Sequence, residues 1–487
     1  MQLKFPETVQ KINLLYYSII VIVLGTPLWW YTTDTYRAAL PHSQITGLTE
    51  YKTLFSIPVG VCFDPTEVQH GRVEQIILSL KPFLLSRAFN QGRVIYDIDL
   101  SIAKKCGEQS FSILFTNDVV RPSKAEISPQ GLKISFDKIE RMIADVAEDI
   151  LNYVELTQLQ NHILALDDPT LHPILQDVRN AMAVATSYNI LVSVVNPDPA
   201  AIKLDYNLVE GTKQYLEPFI TELGSIAEVT YQTQVMRYVK LPHKPVKSGD
   251  VYFISENNLP HLINPIESKL GTSTTNDINL IIYLMEGKYS PLVIKTKDGD
   301  MKELPSFLSP QFGAVLLYDT SNKTTIDHST TFNVLLPQLK QLLGLKSTNS
   351  ADISPQEKFF MESRATLTHI LKSIDTLNSL IRLVDSIPNM VIGDHIAGQI
   401  ASSVEGINKA QTALSEGKLS EALHQASLAR NAAEKSFSDP SILALLYFPD
   451  DQKFAIYIPL FLPVGLPLIV AYLEILKRWK KNKDKTD

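Results

Sequence analysis

Residues 12–33, INLLYYSIIVIVLGTPLWWYTT, and residues 454–473, FAIYIPLFLPVGLPLIVAYL, carry no charged side chain, and they bracket everything else in the chain. At 1.5 Å rise per residue, each is roughly 30 Å long as a helix, the thickness of a bilayer core. The reading is of two transmembrane helices, one near each end, holding a large central region against one membrane face. Lys4 and Lys11 precede the first run, and Lys477, Arg478, Lys480, Lys481, Lys483 and Lys485 follow the second. The positive-inside bias therefore makes both termini cytosolic. The centre then lies across the membrane. Formal charge is +1 for residues 1–33, +3 for 474–487 and −11 for the remainder. An acidic centre lacks the basic face that nucleic acid requires.

The first run is too long for a signal-peptide core, and Trp29-Trp30-Tyr31 stands where small residues would mark cleavage. It reads as a retained span with aromatic residues at the interface. Pro459, Pro463 and Pro467 are four apart and stack on one helical face. Two readings stand side by side: tolerated membrane prolines, or a face packed against another subunit. Asn322-Lys323-Thr324 is a glycosylation sequon, which makes Asn322 a candidate glycan site in a lumen. Lys483 and Lys485 resemble a cytosolic dilysine retrieval signal. Cys62 and Cys106 are the only cysteines. They pair, bond another chain or stay buried; no disulfide framework rests on them.

Hydrophobic periodicity divides the centre. Residues 34–52 hold Pro41 and no regular pattern, so they read as a luminal stalk. Residues 53–350 interleave strands with helices, a mixed α/β layer fold. Strands are expected at 55–63, 94–102, 110–115, 132–136, 188–195, 228–239, 251–254, 278–285, 292–295 and 314–318. Helices are expected at 73–89, 139–166, near 208–222 and at 332–343. Residues 351–448 lose the β pattern and form a helical subdomain. Leu367, Ile370, Leu371, Ile374, Leu377, Ile381 and Val384 mark one face of its first helix. Ile396–Leu414 and Leu419–Phe437 supply two more. Residues 421–427 resemble a single tetratricopeptide unit, but such arrays need about three to stack. The division is thus 1–11 cytosolic, 12–33 span, 34–52 stalk, 53–350 α/β, 351–448 helical, 454–473 span and 474–487 basic cytosolic tail.

Chemistry is sparse. No Gly-x-Gly occurs, so dinucleotide and kinase loops are excluded, and Walker, Gly-x-Ser-x-Gly and His-Glu-x-x-His patterns are also absent. Ten scattered histidines without a Cys-x-x-Cys partner predict no metal site, and no cofactor is indicated. Cys62 ends an apolar strand, a packing position rather than a nucleophile's. Asp97 and Asp99 alternate with Tyr96, Ile98 and Leu100, which puts both carboxylates on a solvated strand face. No catalytic residue is expected.

The run Gly25-Thr26-Pro27-Leu28-Trp29-Trp30-Tyr31-Thr32-Thr33, with Tyr36-Arg37-Ala38 and Leu40-Pro41, resembles the amino-terminal signature of the phosphatidylinositol-glycan class S family. Further blocks follow in order: Val195-Asn196-Pro197-Asp198-Pro199, Tyr231-Gln232-Thr233-Gln234-Val235, Leu262–Glu267, Ser309-Pro310-Gln311-Phe312-Gly313 and Leu445–Tyr457, ending at Pro459-Leu460-Phe461. Phe312 replaces a tryptophan common in the family, and Asp451-Gln452 replaces a more basic pair. The resemblance implies a non-catalytic subunit of the glycosylphosphatidylinositol (GPI) transamidase of the endoplasmic reticulum. It implies as partners the caspase-like class K subunit, class T, the attachment-protein subunit and class U. Cysteine-protease chemistry belongs to class K, so no catalytic residue carries over. The alternative is a double-anchored luminal adaptor or chaperone-like binding protein outside that complex.

Overall fold

The computed structural model describes residues 7–483 except 26, 29–30, 32–35, 51–54, 65–69, 89–93, 103–109, 117–125, 129–130, 136–142, 168–169, 171–180, 271–275, 297–299, 303–304, 311, 322, 346–351, 388–389, 391 and 446–449. It shows a mixed α/β region followed by a helical C-terminal region, as expected from the periodicity.

Five strands build the first sheet: β1 (Phe55–Asp64), β2 (Val94–Ile102), β3 (Ser110–Thr116), β4 (Glu126–Ser128) and β5 (Gly131–Ser135), in the order β2-β1-β3-β5-β4. All pairs are parallel except β4 with β5. The helix His70–Ala88 connects β1 to β2 and buries Val73, Leu80 and Leu84. The 139–166 stretch, expected as one helix, is two: Ile143–Tyr153 and Leu156–Asp167. Glu155 sits at φ 58, a left-handed residue that interrupts the ladder where periodicity alone reads through.

The second half adds β6 (Ser187–Asn196), β7 (Glu228–Arg237), β8 (Val246–Ser248), β9 (Val251–Ser255), β10 (Asp277–Met285), β11 (Leu292–Lys295), β12 (Met301–Lys302), β13 (Ser306–Ser309) and β14 (Gly313–Asp319). Its main sheet has the order β13-β14-β10-β6-β7, parallel apart from the edge strand β13. β10 and β14 are nearly continuous apolar runs because parallel strands bury both faces. The two five-stranded sheets repeat one connectivity. Each starts at an inner strand (β1, β6) and crosses to one neighbour (β2, β7). The chain then lays a strand on the other side (β3, β10) and ends with an antiparallel edge strand and its parallel partner (β4 and β5, β13 and β14). The second copy carries an insertion, the small sheet β12-β11-β9-β8. Helix Leu259–Leu270 packs Leu262 and Ile266 into a core shared with Ile254, Leu292, Tyr283 and Val315, which joins the insertion to the main sheet.

The helix Pro355–Ser386 departs most from its sequence reading. An apolar stripe predicts one buried face. Instead every residue from Phe360 to Leu371 is buried, including Glu362, Ser363, Arg364, Thr366, Thr368 and His369. Partners hold several of these groups, while Ser363 Oγ and His369 Nε2 are buried without a hydrogen bond. Arg364 donates from Nη1 to the Leu343 carbonyl (2.6 Å) and from Nη2 to the Met182 carbonyl (3.2 Å), while Nε faces His162 Nδ1 at 3.4 Å. Gly344, at φ 85, leaves room for that guanidinium; a Cβ there would lie 2.2 Å from Nη1. Thr366 and Thr368 donate to carbonyls four residues back, as buried hydroxyls in helices do. At the start of the helix, Glu357 pairs with fully buried Lys340 (3.1 Å), which also donates to the Asp352 carbonyl.

Contacts divide the chain into two compact units, one of residues 1–47, 375–404 and 432–487, the other of 48–374 and 405–431. In the first, the segment read as a stalk is tied down. Tyr36 donates to Asp394 Oδ1 (2.7 Å), Arg37 to the Val384 carbonyl (2.8 Å) and the Ala38 N–H to the Ile392 carbonyl (2.9 Å), and His42–Glu50 is helical with Ile45 buried. These bonds join residues about 350 positions apart, which no local pattern announces. Glu7–Ile19 is helical and continues as a π-helix over Ile20–Gly25; Asp450–Lys483 is one helix running through all three prolines. Among the described residues no helix is both long and apolar enough to cross a membrane.

Replacing Lys340 by Met takes the ammonium partner away from the buried Glu357 carboxylate. We expect a loss of about 3–5 kcal/mol in denaturant unfolding, with much of it recovered in Lys340→Met, Glu357→Leu. Recovery absent from the double variant would show that packing, not the charge, is what the single variant loses. His369 is 2% exposed, and burial, then the nearby Arg430 charge, lowers its pKa from 6.5 to about 4. It folds neutral, so stability is intact above pH 6.5 and falls as the unfolded state protonates below it. By pH 4 the loss reaches roughly 3 kcal/mol. Unfolding midpoints between pH 7 and 4 should decline less steeply in His369→Gln.

Candidate functional site

The residue pairs Pro58–Asp97, Gly60–Asp99 and Cys62–Ser101 face each other across β1 and β2 and share one face of the first sheet. Asp97 and Asp99 are both exposed, as alternation predicts. Gly60 and Pro58 keep that face shallow. Over it stand the start of the helix Pro355–Ser386 and the turn between the helices Asp394–Ser415 and Leu419–Phe437. The result is a groove of about 850 Å³ lined by Pro58, Gly60, Asp99, Phe359, Glu362 and Lys418, among others. Ser420 Oγ donates to Glu362 Oε1 at 3.0 Å. Burial pushes the Glu362 carboxyl above its usual range, against the pull of that bond and of Lys358.

This groove assembles no reaction centre. Carboxylates line it, but no thiol nucleophile or His base is among the lining residues. Cys62, the one cysteine within the described residues, is 1% exposed and already disulfide-bonded, so it holds no free thiolate. The chain's other cysteine, Cys106, lies outside the described residues, as does the sequon residue Asn322. Among the described residues, no group of three or more His, Cys, Asp or Glu could hold a metal ion.

The sequence blocks that carry the family resemblance do structural work. Asn196 ends β6 by donating from Nδ2 to the Ile202 carbonyl (3.0 Å) and Tyr206 hydroxyl (2.8 Å), and its Oδ1 accepts the Asp198 N–H (3.0 Å). Asp198 Oδ1 then accepts the N–H groups of Ala200 and Ala201, closing the turn. Gln234 on β7 donates to Ser193 Oγ on β6 (2.9 Å). Gly313 starts β14 at φ 155, where a Cβ would lie 1.9 Å from the Asn279 carbonyl oxygen, so β10 and β14 approach only because no side chain intervenes.

A family model for the phosphatidylinositol-glycan biosynthesis class S protein matches residues 16–482. The chain belongs to that family. It is similar to the GPI-anchor transamidase component PIGS of Bos taurus, 30% identical over 97% of this chain and 96% of that protein. The Homo sapiens protein of the same description is 29% identical over 97% and 96%. The GPI transamidase component GPI17 of Saccharomyces cerevisiae is 24% identical over 96% and 91%. Membership covers both sheets and the helical region alike. What sequence reasoning missed was the groove itself, because Asp99 and Glu362 are more than 250 positions apart and neither stands in a motif.

Replacing Cys62 by Ser removes the disulfide and sets a hydroxyl in an apolar site. We expect about 2–5 kcal/mol less stability. Reductant should lower the unfolding midpoint of the natural protein and leave that of Cys62→Ser unchanged. A midpoint insensitive to reductant in both would contradict a stabilising role.

Proposed function

We propose that this chain is a non-catalytic structural component of the GPI transamidase complex, which attaches GPI anchors to precursor proteins in the endoplasmic reticulum. The observation that carries this is the family match over residues 16–482, together with relatives named as transamidase components along nearly their whole length. Its family blocks turn chains and seat strands, and its described cysteine is locked in a disulfide. Reaction chemistry belongs to another subunit, the caspase-like class K protein. Class T, the attachment-protein subunit and class U complete the set of partners.

The finer topology is part of the same reading. Residues 12–33 and 454–473 cross the membrane, the region between them is luminal, both termini are cytosolic, and Asn322 carries a glycan. Supporting this are the apolar side chains that the terminal helices expose, among them Ile12, Leu15, Ile20, Leu24, Leu462, Leu466, Ile469 and Leu473. A soluble surface rarely presents apolar residues so densely, whereas lipid accepts them. The disulfide at Cys62 fits an oxidising lumen rather than the cytosol.

Affinity purification from detergent-solubilised membranes should bring down class K, class T, class U and the attachment-protein subunit. In sealed microsomes residues 34–453 should resist added protease, and Asn322→Gln should remove an Endo H-sensitive mass. Asp97→Asn, Asp99→Asn should assemble and support attachment at the natural rate. Purification without those partners overturns the subunit assignment, cleavage of the centre in intact vesicles overturns the topology, and an assembled but inactive Asp variant overturns the non-catalytic role.

A further inference from the structure

The repeated connectivity has a chemical consequence. In the second sheet the chain leaves β6 toward β7 on one side, and β10 and β14 lie on the other. The loops after β6 and β10 therefore diverge and leave a crevice at the carboxyl ends of the strands, the place where open α/β sheets hold ligands. Two cavities open there and share Glu286. The smaller, about 100 Å³, is lined by Pro197, Lys240, Lys244, Tyr283, Glu286 and Tyr289, among others. The larger, about 460 Å³, is lined by Ala201, Ile202, Glu286, Gly287, Lys288, Thr320 and Ser321.

Charge separates the two chambers from the rest of this acidic chain. The Glu286 carboxylate is engaged by Lys288 Nζ, which also lies 4.9 Å above the Tyr289 ring. Lys240 and Lys244 form no ion pair among the described residues, so with Glu286 held by Lys288 the lining of the small chamber is net positive. Tyr238, two residues before Lys240, is exposed and held at φ 61. A non-glycine residue in that region stores strain of the kind that gathers at binding sites. The larger chamber is polar and uncharged apart from the Glu286–Lys288 pair. Thr320 Oγ1 donates to the Met285 carbonyl (2.6 Å) and Ser321 Oγ to Asp319 Oδ1 (2.7 Å), which leaves both oxygens able to accept.

We propose that this crevice binds a phosphorylated polyol, with the phosphate in the chamber of Lys240 and Lys244 and the polyol hydroxyls against Thr320 and Ser321. At about 30 Å³ per water, the small chamber holds roughly three waters, enough for a phosphate group. The larger lies in the size range of small-molecule sites. The same chemistry is offered by a soluble sugar phosphate and by a phospholipid head group. The inference does not depend on transamidase membership, since it rests on cavity, charge and topology alone.

The test is calorimetric titration of the full-length protein in detergent micelles with glucose 6-phosphate, glucose, short-chain phosphatidylinositol and short-chain phosphatidylcholine. Glucose 6-phosphate or short-chain phosphatidylinositol should bind, and the tighter of the two identifies the source as soluble or lipid. Glucose and short-chain phosphatidylcholine should bind at least about tenfold more weakly than that ligand, a difference of about 1.4 kcal/mol. Lys240→Glu, Lys244→Glu changes two exposed side chains, so folding is unaffected, and it should weaken binding about tenfold or more. Equal binding by the natural and variant proteins, equal binding of phosphorylated and neutral ligands, or no binding at all would overturn the proposal.

Discussion

A helix buried on every side while carrying an arginine, a glutamate and a histidine is the constraint on which this molecule depends. Fully exposed in water, the stretch around Glu362–His369 would be unremarkable. Packed inside, each polar group must find a partner or lose its hydration uncompensated. The partners come from distant places in the sequence: Lys340 for Glu357, the carbonyls of Leu343 and Met182 for Arg364, and His162 beside Thr368. Tyr153 and Gln356 are joined as well. One helix is thereby bonded to segments that follow the first sheet and segments that flank the second. Buried ion pairs are weak sources of net stability, but losing half of one is costly, so these contacts specify the arrangement more than they strengthen it.

That specification suits a non-catalytic component of a complex. The two repeated sheets each present a strand edge, β2 and β7, and the inner strands β10 and β14 of the second are buried on both faces. No reactive cysteine or metal cluster among the described residues competes with packing for the use of polar side chains. Polar side chains such as Asn196 and Arg364 are spent on backbone carbonyls.

The two copies of the α/β unit differ at one corresponding point of their topology. In the first, Cys62 near the end of β1 is engaged in a disulfide, next to the point where the chain reverses direction between β1 and β3. In the second, the corresponding point between β6 and β10 is open, and the segments that lead into the strands of the inserted small sheet, with Lys240, Lys244 and Tyr289, line it. The insertion is tied to the main sheet by apolar contacts and by the Tyr283 hydroxyl, which donates to the Val239 carbonyl at 2.7 Å.

The sequence by itself determined the elements. Alternation at 94–102 and the apolar runs at 278–285 and 292–295 are strands, and Leu419–Phe437 is a helix, because periodicity reports which local dihedral pattern can bury a face. It also determined the absence of nucleotide, kinase and hydrolase motifs, and the family blocks at 195–199, 309–313 and 459–461. Only the tertiary structure decided the strand order, the repetition of one connectivity in two sheets, and the binding of Tyr36, Arg37 and Ala38 to residues 384–394 where a stalk is expected. It also decided the break at Glu155 and the all-round burial of Phe360–Leu371. Each of these depends on which distant group satisfies a given hydrogen bond or charge. Spacing along the chain carries no record of that choice: a polar residue facing water and one facing a carbonyl two hundred positions away read alike until the chain has folded.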